Sequence, residues 1–160
     1  MTDFRIGFGT DVHRLIAGRP LVIGGVTIES DVGAAGHSDA DVLLHAVTDA
    51  LLGALALGDI GTHFPNTDER WRNADSTVFL RHSVGLMKSH GFMIANIDST
   101  IDLERPRLRP LIDQMRANLA AVLDIDLVQV SVKAKTGESV DAVGDLRAVR
   151  AQAMVLLAKA

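Results

Sequence analysis

Three side chains in the first third of the sequence have the types and spacing of a metal site. Asp11 and His13 are two residues apart at the end of a strand-like run, so in extended chain both project from the same face. His45 lies in an apolar, helix-like segment, with Asp41 and Asp49 four residues to either side on the same helical face. A buried imidazole needs a partner at each ring nitrogen. His45 is therefore either a metal ligand oriented by a carboxylate or a core histidine paired with Asp49, and Asp11 and His13 are either ligands or turn residues.

Polar residues flank both ends of the segment that carries His45. His37 and Ser38 precede it, where unpaired backbone N–H groups and the helix dipole favour an anion; simple capping is the alternative. Asp59 follows the segment and either accepts hydrogen bonds from substrate hydroxyls or only ends the helix. The ligand candidates and these flanking residues would thus gather around two ends and one face of a single helix.

A second polar group ends a later strand-like run. Lys135, Thr136 and the backbone N–H groups near Gly137 could hold a phosphate, and Glu138 could hold a hard cation such as Mg²⁺. A solvated turn is the alternative interpretation of the same residues.

Composition restricts the kind of protein that can carry these groups. A chain of 160 residues with 48% hydrophobic and 22% charged residues predicts one globular domain over residues 1–160. The absence of cysteine excludes disulfides and thiolate metal sites, so a transition metal must be held by histidine and carboxylate. The net charge of -4 argues against a broad nucleic-acid-binding face. We see no signal peptide or apolar run long enough for a membrane span, so we expect no membrane partner and a cytoplasmic location.

Hydrophobic periodicity predicts the elements that must position these residues. We expect strands over residues 5–9 and 21–28 joined as a hairpin, a helix over 40–57 capped by Ser38, and a functional loop over 59–73. A second helix should start at Asp75 or Ser76, turn Val78, Phe79, Val84 and Met87 inward, and end before Gly91. A strand over 96–103, a helix over 111–122 and a strand over 128–134 follow, and residues 148–157 allow a final strand. This order predicts an α/β (α+β) domain with a single mixed β-sheet and helices on one face.

Five segments, in this order and spacing, resemble the successive motifs of the 2-C-methyl-D-erythritol 2,4-cyclodiphosphate synthases. They are residues 9–13, 23–26, 36–45, 56–61 and 133–136, and the likeness extends over about residues 5–159. The resemblance implies a ferredoxin-like-related fold and a homotrimer with active sites between subunits. It also implies a reaction of non-mevalonate isoprenoid biosynthesis. The 2-phosphate of a cytidine diphosphate substrate, 4-diphosphocytidyl-2-C-methyl-D-erythritol 2-phosphate, attacks the β-phosphorus and expels CMP.

The same resemblance implies roles for individual residues. Asp11, His13 and His45 would bind one Zn²⁺ per chain, and Glu138 would help hold a second ion, Mg²⁺ or Mn²⁺. His37 and Thr136 match positions of transition-state stabilisers. The implied substrate-binding residues are Asp11, His13, His37, Ser38, Asp59, Ile60, Gly61, Phe64, Pro65, Asn66, Thr67, Asp68, Leu103, Glu104, Arg105, Pro106, Arg107, Leu108, Arg109, Lys135, Thr136, Gly137 and Glu138. Those from Leu103 onward would serve the site of the neighbouring subunit.

The sequence departs from the bacterial pattern of that family near its end. Residues 141–147 look more like the plant-type ending, with Ala142 and Asp145 where an aromatic residue and an arginine help bind isoprenoid diphosphates on the trimer axis. We therefore expect weak or no binding there, unless Arg147 reaches the axis instead. Asn66 also replaces an aspartate common in the loop.

Two other functions fit the residues. A zinc phosphohydrolase would use a metal-bound water as nucleophile and give a linear product. A non-catalytic trimeric module would keep the scaffold and bind ligand without turnover. For the enzyme we expect a bacterial cytoplasmic protein, with a mature plastid protein as the alternative.

Overall fold

The computed structural model describes residues 3–160. The strands are β1 (Phe4–Ala17), β2 (Leu21–Ile23), β3 (Val26–Ile28), β4 (Val32–Ala34), β5 (Phe92–Asp102), β6 (Val130–Lys135) and β7 (Ala148–Lys159). Five of them form one sheet in the order β4-β1-β7-β5-β6, and β2 and β3 form a separate two-stranded sheet. The β5–β6 pair is parallel, whereas β1–β4, β1–β7 and β5–β7 are antiparallel. The prediction of a mixed sheet is confirmed.

Helices cover one side of this sheet. They are α1 (Val42–Ala54), α2 (Ile60–His63), α3 (Thr77–Ser89), α4 (Ile112–Leu123) and α5 (Asp141–Gly144), with single 3-10 turns at Glu69–Trp71, Arg109–Leu111 and Leu127–Gln129. Along β7 the buried residues alternate strictly from Val149 to Leu157, and Met154 on the other side is half exposed. This alternation means that the core lies between the sheet and the long helices, and that the outer face of the sheet is open in a single chain. Among residues 3–160, no helix is long and apolar enough to cross a bilayer.

Strand β1 and helix α1 approach each other unusually closely. A Cβ atom at Gly7 would lie 1.8 Å from the Ala50 carbonyl oxygen, and one at Gly9 would lie 2.0 Å from the Ala46 carbonyl oxygen. Both distances are far below van der Waals contact, so only glycine permits this packing. The next two inward-facing positions of the strand are Asp11 and His13. The glycines therefore bring α1 close enough for His45 to reach both.

The predicted hairpin between residues 5–9 and 21–28 is wrong. β1 pairs with β7 from Phe4 to Arg14 and with β4 from Leu15 to Ala17. Residues 21–28 instead form their own hairpin, in which β2 and β3 are joined at Gly24 and Gly25. Both glycines have positive φ, +61° and +70°, which suits the tight two-residue turn of a hairpin.

The N-cap of α1 is Asp41 rather than the predicted Ser38. The Asp41 carboxylate is fully buried and accepts the backbone N–H groups of Leu43 and Leu44. It also accepts those of Gly24 and Gly25, at 2.9 and 2.7 Å. One carboxylate therefore caps the helix and fixes the β2–β3 turn against it. Burial raises the pKa of Asp41 to about 6, and the four N–H donors offset part of the cost of burying this group.

Other predicted elements are present, but several of their boundaries are wrong. β1 continues to Ala17 instead of ending at residue 9, so Asp11 and His13 lie within it, and β5 begins at Phe92 instead of residue 96. Helix α1 ends at Ala54 rather than residue 57, and the predicted loop over 59–73 contains α2 and a 3-10 turn. Val78 is 46% exposed and Val128 is 89% exposed, because Val78 lies on the outer side of α3 and Val128 precedes its strand in a 3-10 turn. The ambiguous tail is strand β7, as its alternating pattern allowed.

Candidate metal centre and substrate cavity

Two ring nitrogens and one carboxylate oxygen converge where β1 meets α1. His13 Nε2 lies 2.8 Å from Asp11 Oδ2, and His45 Nδ1 lies 2.9 Å from the same oxygen. The two ring nitrogens are 3.2 Å apart. The structure thus brings together the three side chains that the sequence singled out as metal ligands.

The electrostatics of the cluster show how strongly these groups depend on one another. Burial works against ionisation of Asp11, but hydrogen bonds and charge from His13 and His45 outweigh it and hold the pKa of Asp11 well below its ordinary value. Burial also opposes a charge on His13, yet the Asp11 carboxylate raises the pKa of His13 above its ordinary value. A carboxylate and two imidazoles at these distances require a cation between them, either a proton or a metal ion.

The donor set fits a transition metal. His13 Nδ1 lies 2.9 Å from the Ala35 carbonyl oxygen, which can only accept, so this nitrogen carries the proton and Nε2 keeps its lone pair. Two imidazole nitrogens and one carboxylate oxygen are ligands that zinc takes in catalytic sites, where a further position stays open for substrate or water. The cluster borders a cavity, which gives such an open position access.

The outer nitrogen of His45 has partners that the sequence did not suggest. Its Nε2 lies 2.8 Å from the Ser76 hydroxyl and 3.3 Å from the Ser38 hydroxyl. The carboxylates expected to orient it are used elsewhere: Asp41 caps α1, and Asp49 accepts the Ile60 backbone N–H at 2.7 Å. The alternative of a core histidine satisfied by Asp49 is therefore wrong.

A cavity of about 580 Å³ opens beside the three converging side chains. Its walls combine the metal-ligand candidates, the turn before α1, helix α2, the loop after it and part of α3. The lining residues are Asp11, His13, Gly36, His37, Ser38, His45, Ile60, Gly61, Phe64, Pro65, Asn66, Thr67, Trp71 and Phe79. The structure thus places His37, Ser38, Ile60, Gly61 and the loop from Phe64 to Thr67 around one space, with room for a small polar ligand.

His37, which lines the cavity, bonds to the loop at Asp68, which does not line it. His37 Nε2 lies 3.1 Å from the Asp68 carbonyl oxygen, and the His37 carbonyl accepts the Asn73 backbone N–H at 2.7 Å. The Asp68 carboxylate points to Arg70, whose guanidinium holds the pKa of Asp68 below its ordinary value. Two hydrogen bonds therefore hold the loop against the segment before α1, one at Asp68 and one at Asn73.

Asp59 lies just outside the lining residues. Its carboxylate caps α2 by accepting the Thr62 backbone N–H and hydroxyl, both at 2.8 Å, and these bonds hold its pKa below the ordinary value. Because the side chain is exposed and ionised, it remains an acceptor for ligand hydroxyl groups near Gly61.

The second predicted group lies elsewhere on the same chain. Glu104 accepts the Gly137 backbone N–H at 2.9 Å, and the Thr136 hydroxyl donates to Glu138 at 2.8 Å. The first contact joins the segment over residues 103–109, which follows β5, to the segment over 135–138, which follows β6, and the second lies within the latter segment. Lys135 and Arg105 belong to this group, and Leu103 and Leu108 anchor it in the core.

Two strands, β7 and β5, lie between the strand that carries Asp11 and His13 and the strand that leads to this second group. Asp11 is level with Ala151 on β7, Ala151 with Ile101 on β5, and Ile101 with Ala134 on β6. Three strand spacings correspond to about 14 Å across the sheet. The two groups thus lie at the same end of the sheet, yet neither Thr136 nor Glu138 lines the cavity.

Several residues of the site were missed by sequence reasoning. Trp71 and Phe79 line the cavity, and their rings pack edge to face at 5.8 Å. Ser76 and Asp39 lie behind His45. Trp71 is the one tryptophan in the chain and lies in the loop expected to be functional, which was a usable signal. Ser76 had been interpreted only as a helix cap.

The chain also has close relatives among known proteins. It matches the family model described as the YgbB family over residues 4–158. A 2-C-methyl-D-erythritol 2,4-cyclodiphosphate synthase of Solibacter usitatus (strain Ellin6076) is 53% identical over 99% of this chain and 100% of its own length. One from Burkholderia ambifaria (strain MC40-6) is 57% identical over 99% of this chain and 98% of its own. A solved 2C-methyl-D-erythritol-2,4-cyclodiphosphate synthase in its CDP-bound form is 42% identical, with a TM-score of 0.88 and coverage of 96% and 99%.

These relatives match this chain both in sequence and in fold. The matched region includes the strand and the helix that build the metal-ligand cluster, and the solved relative shares the mixed sheet and its helices. Full-length identity above 50% leaves no segment of the described fold outside the match. The chain therefore belongs to the YgbB family, the family of its 2-C-methyl-D-erythritol 2,4-cyclodiphosphate synthase relatives.

Proposed function

We propose that this chain converts 4-diphosphocytidyl-2-C-methyl-D-erythritol 2-phosphate into 2-C-methyl-D-erythritol 2,4-cyclodiphosphate and CMP. An oxygen of the 2-phosphate forms a bond to the β-phosphorus, and the bond from that phosphorus to the bridging oxygen of the CMP group breaks. The observation that carries the proposal is the convergence of Asp11, His13 and His45 at the wall of a polar cavity. The family membership supplies the substrate, which geometry alone does not define.

The metal centre of the proposal is zinc held by Asp11, His13 and His45. When bound, such an ion neutralises charge on the diphosphate as a Lewis acid. The residues around it orient the reacting groups, which matters because phosphoryl transfer depends mainly on positioning and on stabilising charge. His37 faces the same cavity. Its Nε2 already donates to the Asp68 carbonyl oxygen, so it is the doubly protonated ring that would also donate, from Nδ1, to a phosphate oxygen.

The sugar end of the substrate would lie in the other half of the cavity. Asp59 accepts hydrogen bonds from the methylerythritol hydroxyls, and the exposed backbone of Ile60 and Gly61 lies beside them. The loop from Phe64 to Thr67 covers this end and excludes water from the reacting phosphates. Exclusion of water favours cyclisation over hydrolysis because it removes the competing nucleophile.

We assign the cytidine end to the second group of residues, contributed by a neighbouring copy of the chain. In one chain that group lies about 14 Å from the metal-ligand candidates across the sheet and does not line the cavity, which supports its serving the site of a neighbouring copy. Solved relatives contain CDP, a ligand with the same cytidine diphosphate group. Lys135 and Thr136 would contact phosphate, and Glu138 would help hold a second ion, Mg²⁺ or Mn²⁺.

The open face of the sheet supports a homotrimer. Large apolar side chains are exposed there in the single chain, Ile6 by 68% and Phe8 by 59% of their surface. Phe4, Val12 and Met154 on the same face are also at least half exposed. An apolar patch of this extent marks a protein–protein interface, and three copies related by a threefold axis would cover it.

One incubation tests the proposed reaction. The purified protein is mixed with the cytidine diphosphate substrate and Mg²⁺, and the products are identified by ³¹P NMR and mass spectrometry. We expect CMP and the cyclic diphosphate in equal amounts. A linear phosphorylated product would identify a phosphohydrolase instead, and binding without turnover would identify a non-catalytic module.

A further inference from the structure

A buried chain of hydrogen bonds runs from the metal-ligand cluster to the start of α3. His45 Nε2 lies 2.8 Å from the Ser76 hydroxyl, and the same hydroxyl contacts Asp39 Oδ1. The other oxygen of Asp39 accepts the Ser76 backbone N–H at 3.1 Å. Ser76 is completely buried. It stands at the N-cap position of α3, but its side chain makes no capping bond to the helix and is free to bond His45 and Asp39 instead.

The direction of the protons in this chain follows from the chemistry of its members. A serine hydroxyl has one hydrogen to donate, and an ionised carboxylate can only accept. Ser76 therefore donates to Asp39, and its oxygen must accept from His45. The proton of the neutral His45 ring is thus placed on Nε2, which leaves a lone pair on Nδ1, the nitrogen that faces Asp11 and His13.

We propose that Ser76 and Asp39 are positioning residues that hold the proton of the neutral His45 ring on Nε2, so that Nδ1 keeps its lone pair for the metal. This inference rests on the metal centre proposed above and adds two residues that do not touch ligand or metal. Without the relay, the Ser38 hydroxyl would donate to Nε2 and the Asp11 carboxylate would accept a proton from Nδ1, so that proton would have to be displaced before a metal could bind. Partners that orient a ligating histidine typically change metal affinity by about 10- to 100-fold.

Asp39 also lies close enough to add negative charge to the metal site, so charge and relay must be separated. The relay acts through the Ser76 hydroxyl, whereas a charge acts whether or not that hydroxyl is present. If the relay is the cause, removal of Asp39 should matter only when Ser76 is in place. A double-mutant cycle measures this dependence directly.

The experiment determines the zinc dissociation constant by chelator competition for the wild type, Ser76→Ala, Asp39→Asn and the double variant. We expect each single change to weaken zinc binding by about 10- to 100-fold. The double variant should bind about as weakly as the worse single variant, because both changes break the same relay. Asp39→Asn keeps the size of the side chain and provides a second variant if Ser76→Ala does not fold.

Two matched controls come from the same part of the chain. Ser83 is a fully buried serine of α3 whose hydroxyl donates to the Phe79 carbonyl oxygen, away from His45. Asp75 is an exposed aspartate beside the start of α3 that bonds the Thr77 backbone N–H. Ser83→Ala and Asp75→Asn should keep wild-type zinc affinity. ¹⁵N NMR of the zinc-free protein at alkaline pH adds an independent readout, since the wild-type His45 ring should be protonated on Nε2.

The outcomes distinguish the relay from the metal centre itself. If the wild type binds no zinc, the proposed metal centre fails. If the wild type binds zinc but Ser76→Ala and Asp39→Asn bind it equally well, the relay is overturned while the metal centre stands. Equal losses from Asp39→Asn with and without Ser76 would also overturn it, because they would show an effect of charge alone.

Discussion

At the scale of single residues, the metal-ligand cluster depends on which atom of each side chain faces inward. His13 presents Nε2 because the Ala35 carbonyl oxygen takes the proton of Nδ1, and His45 presents Nδ1 because Nε2 faces Ser76. The two rings therefore use different nitrogens for the same task. Each choice is made by a partner that lies outside the cluster, so the cluster is organised before any metal arrives.

The first prediction concerns His45 as a ligand. Replacing His45 with alanine removes one of three donors and should reduce bound zinc from one equivalent per chain to a small fraction. Zinc is measured by atomic absorption after dialysis, and His90→Ala, an exposed histidine at the end of α3, is the control. A full equivalent of zinc in His45→Ala would remove this residue from the ligand set.

The second prediction concerns Asp41 and stability. In Asp41→Asn, an amide nitrogen must face at least one of the four backbone N–H groups that the carboxylate accepts, which leaves a buried donor unpaired. We expect a loss of about 1–3 kcal/mol in the free energy of unfolding, measured with urea. Asp31→Asn, at an exposed position of the next turn, should change stability little. Equal stability of Asp41→Asn and wild type would contradict this account of the buried carboxylate.

At the scale of elements, the site depends on one strand and one helix in close contact. The inward-facing residues of this part of β1 are Gly7, Gly9, Asp11 and His13. The two glycines contact α1, and the next two residues carry the candidate metal-ligand atoms. The sequence revealed the strand, the buried helix and the three ligand candidates, because alternation and helical periodicity are local signals. It did not reveal the pairing of β1 with β7, since that pairing joins the two ends of the chain. Ser76 was missed as a partner of His45 for the same reason, as only tertiary packing brings them together.

The third prediction tests the close contact. Gly9→Ala places a methyl group on the Ala46 carbonyl oxygen, so α1 must shift away from β1. We expect a loss of stability of about 1–3 kcal/mol or more, together with weaker zinc binding because His45 moves with the helix. Gly85→Ala in α3 meets no atom within 4 Å and should instead stabilise the protein by up to about 1 kcal/mol. Thermal unfolding of both variants would decide, and a stable, zinc-competent Gly9→Ala would contradict the packing argument.

At the scale of the whole molecule, the two groups of site residues lie at one end of the sheet but on different strands. The sequence predicted both groups from their residue types, and the resemblance predicted that they belong to different subunits. The geometry of one chain agrees with the separation, because β7 and β5 lie between the two groups.

The fourth prediction follows from a shared site. His45→Ala and Thr136→Ala should each be inactive alone, and a mixture should regain part of the activity, because some interfaces in mixed trimers pair two intact halves. Subunit exchange is confirmed by native mass spectrometry with one isotope-labelled variant. Mixing two samples of the same variant is the control and should restore nothing. Exchange without recovery would show that one chain provides the whole site.

The fifth prediction concerns isoprenoid diphosphates. Arg147, the residue that could replace the missing arginine, forms an ion pair with Asp145 at 2.9 Å in this structure. Its charge is therefore largely balanced within its own chain, and three copies of the pair on the axis of the proposed trimer would offer little net attraction to a diphosphate. Titration calorimetry with geranyl diphosphate should show weak or no binding. Tight binding of geranyl diphosphate that Arg147→Ala abolishes would show that Arg147 binds the diphosphate despite its ion pair with Asp145.

The alternation along β1 also determines how freely this protein can change in evolution. On the inward side, a side chain cannot be added at Gly7 or Gly9, and Asp11 and His13 carry the ligand atoms. On the outward side, Ile6 and Phe8 are exposed in the single chain, and in the proposed trimer they would need only to remain apolar. A saturation-mutagenesis map of this strand should therefore show stripes, with intolerant odd-numbered positions between permissive even-numbered ones. Natural variation in β1 would accumulate at every second residue.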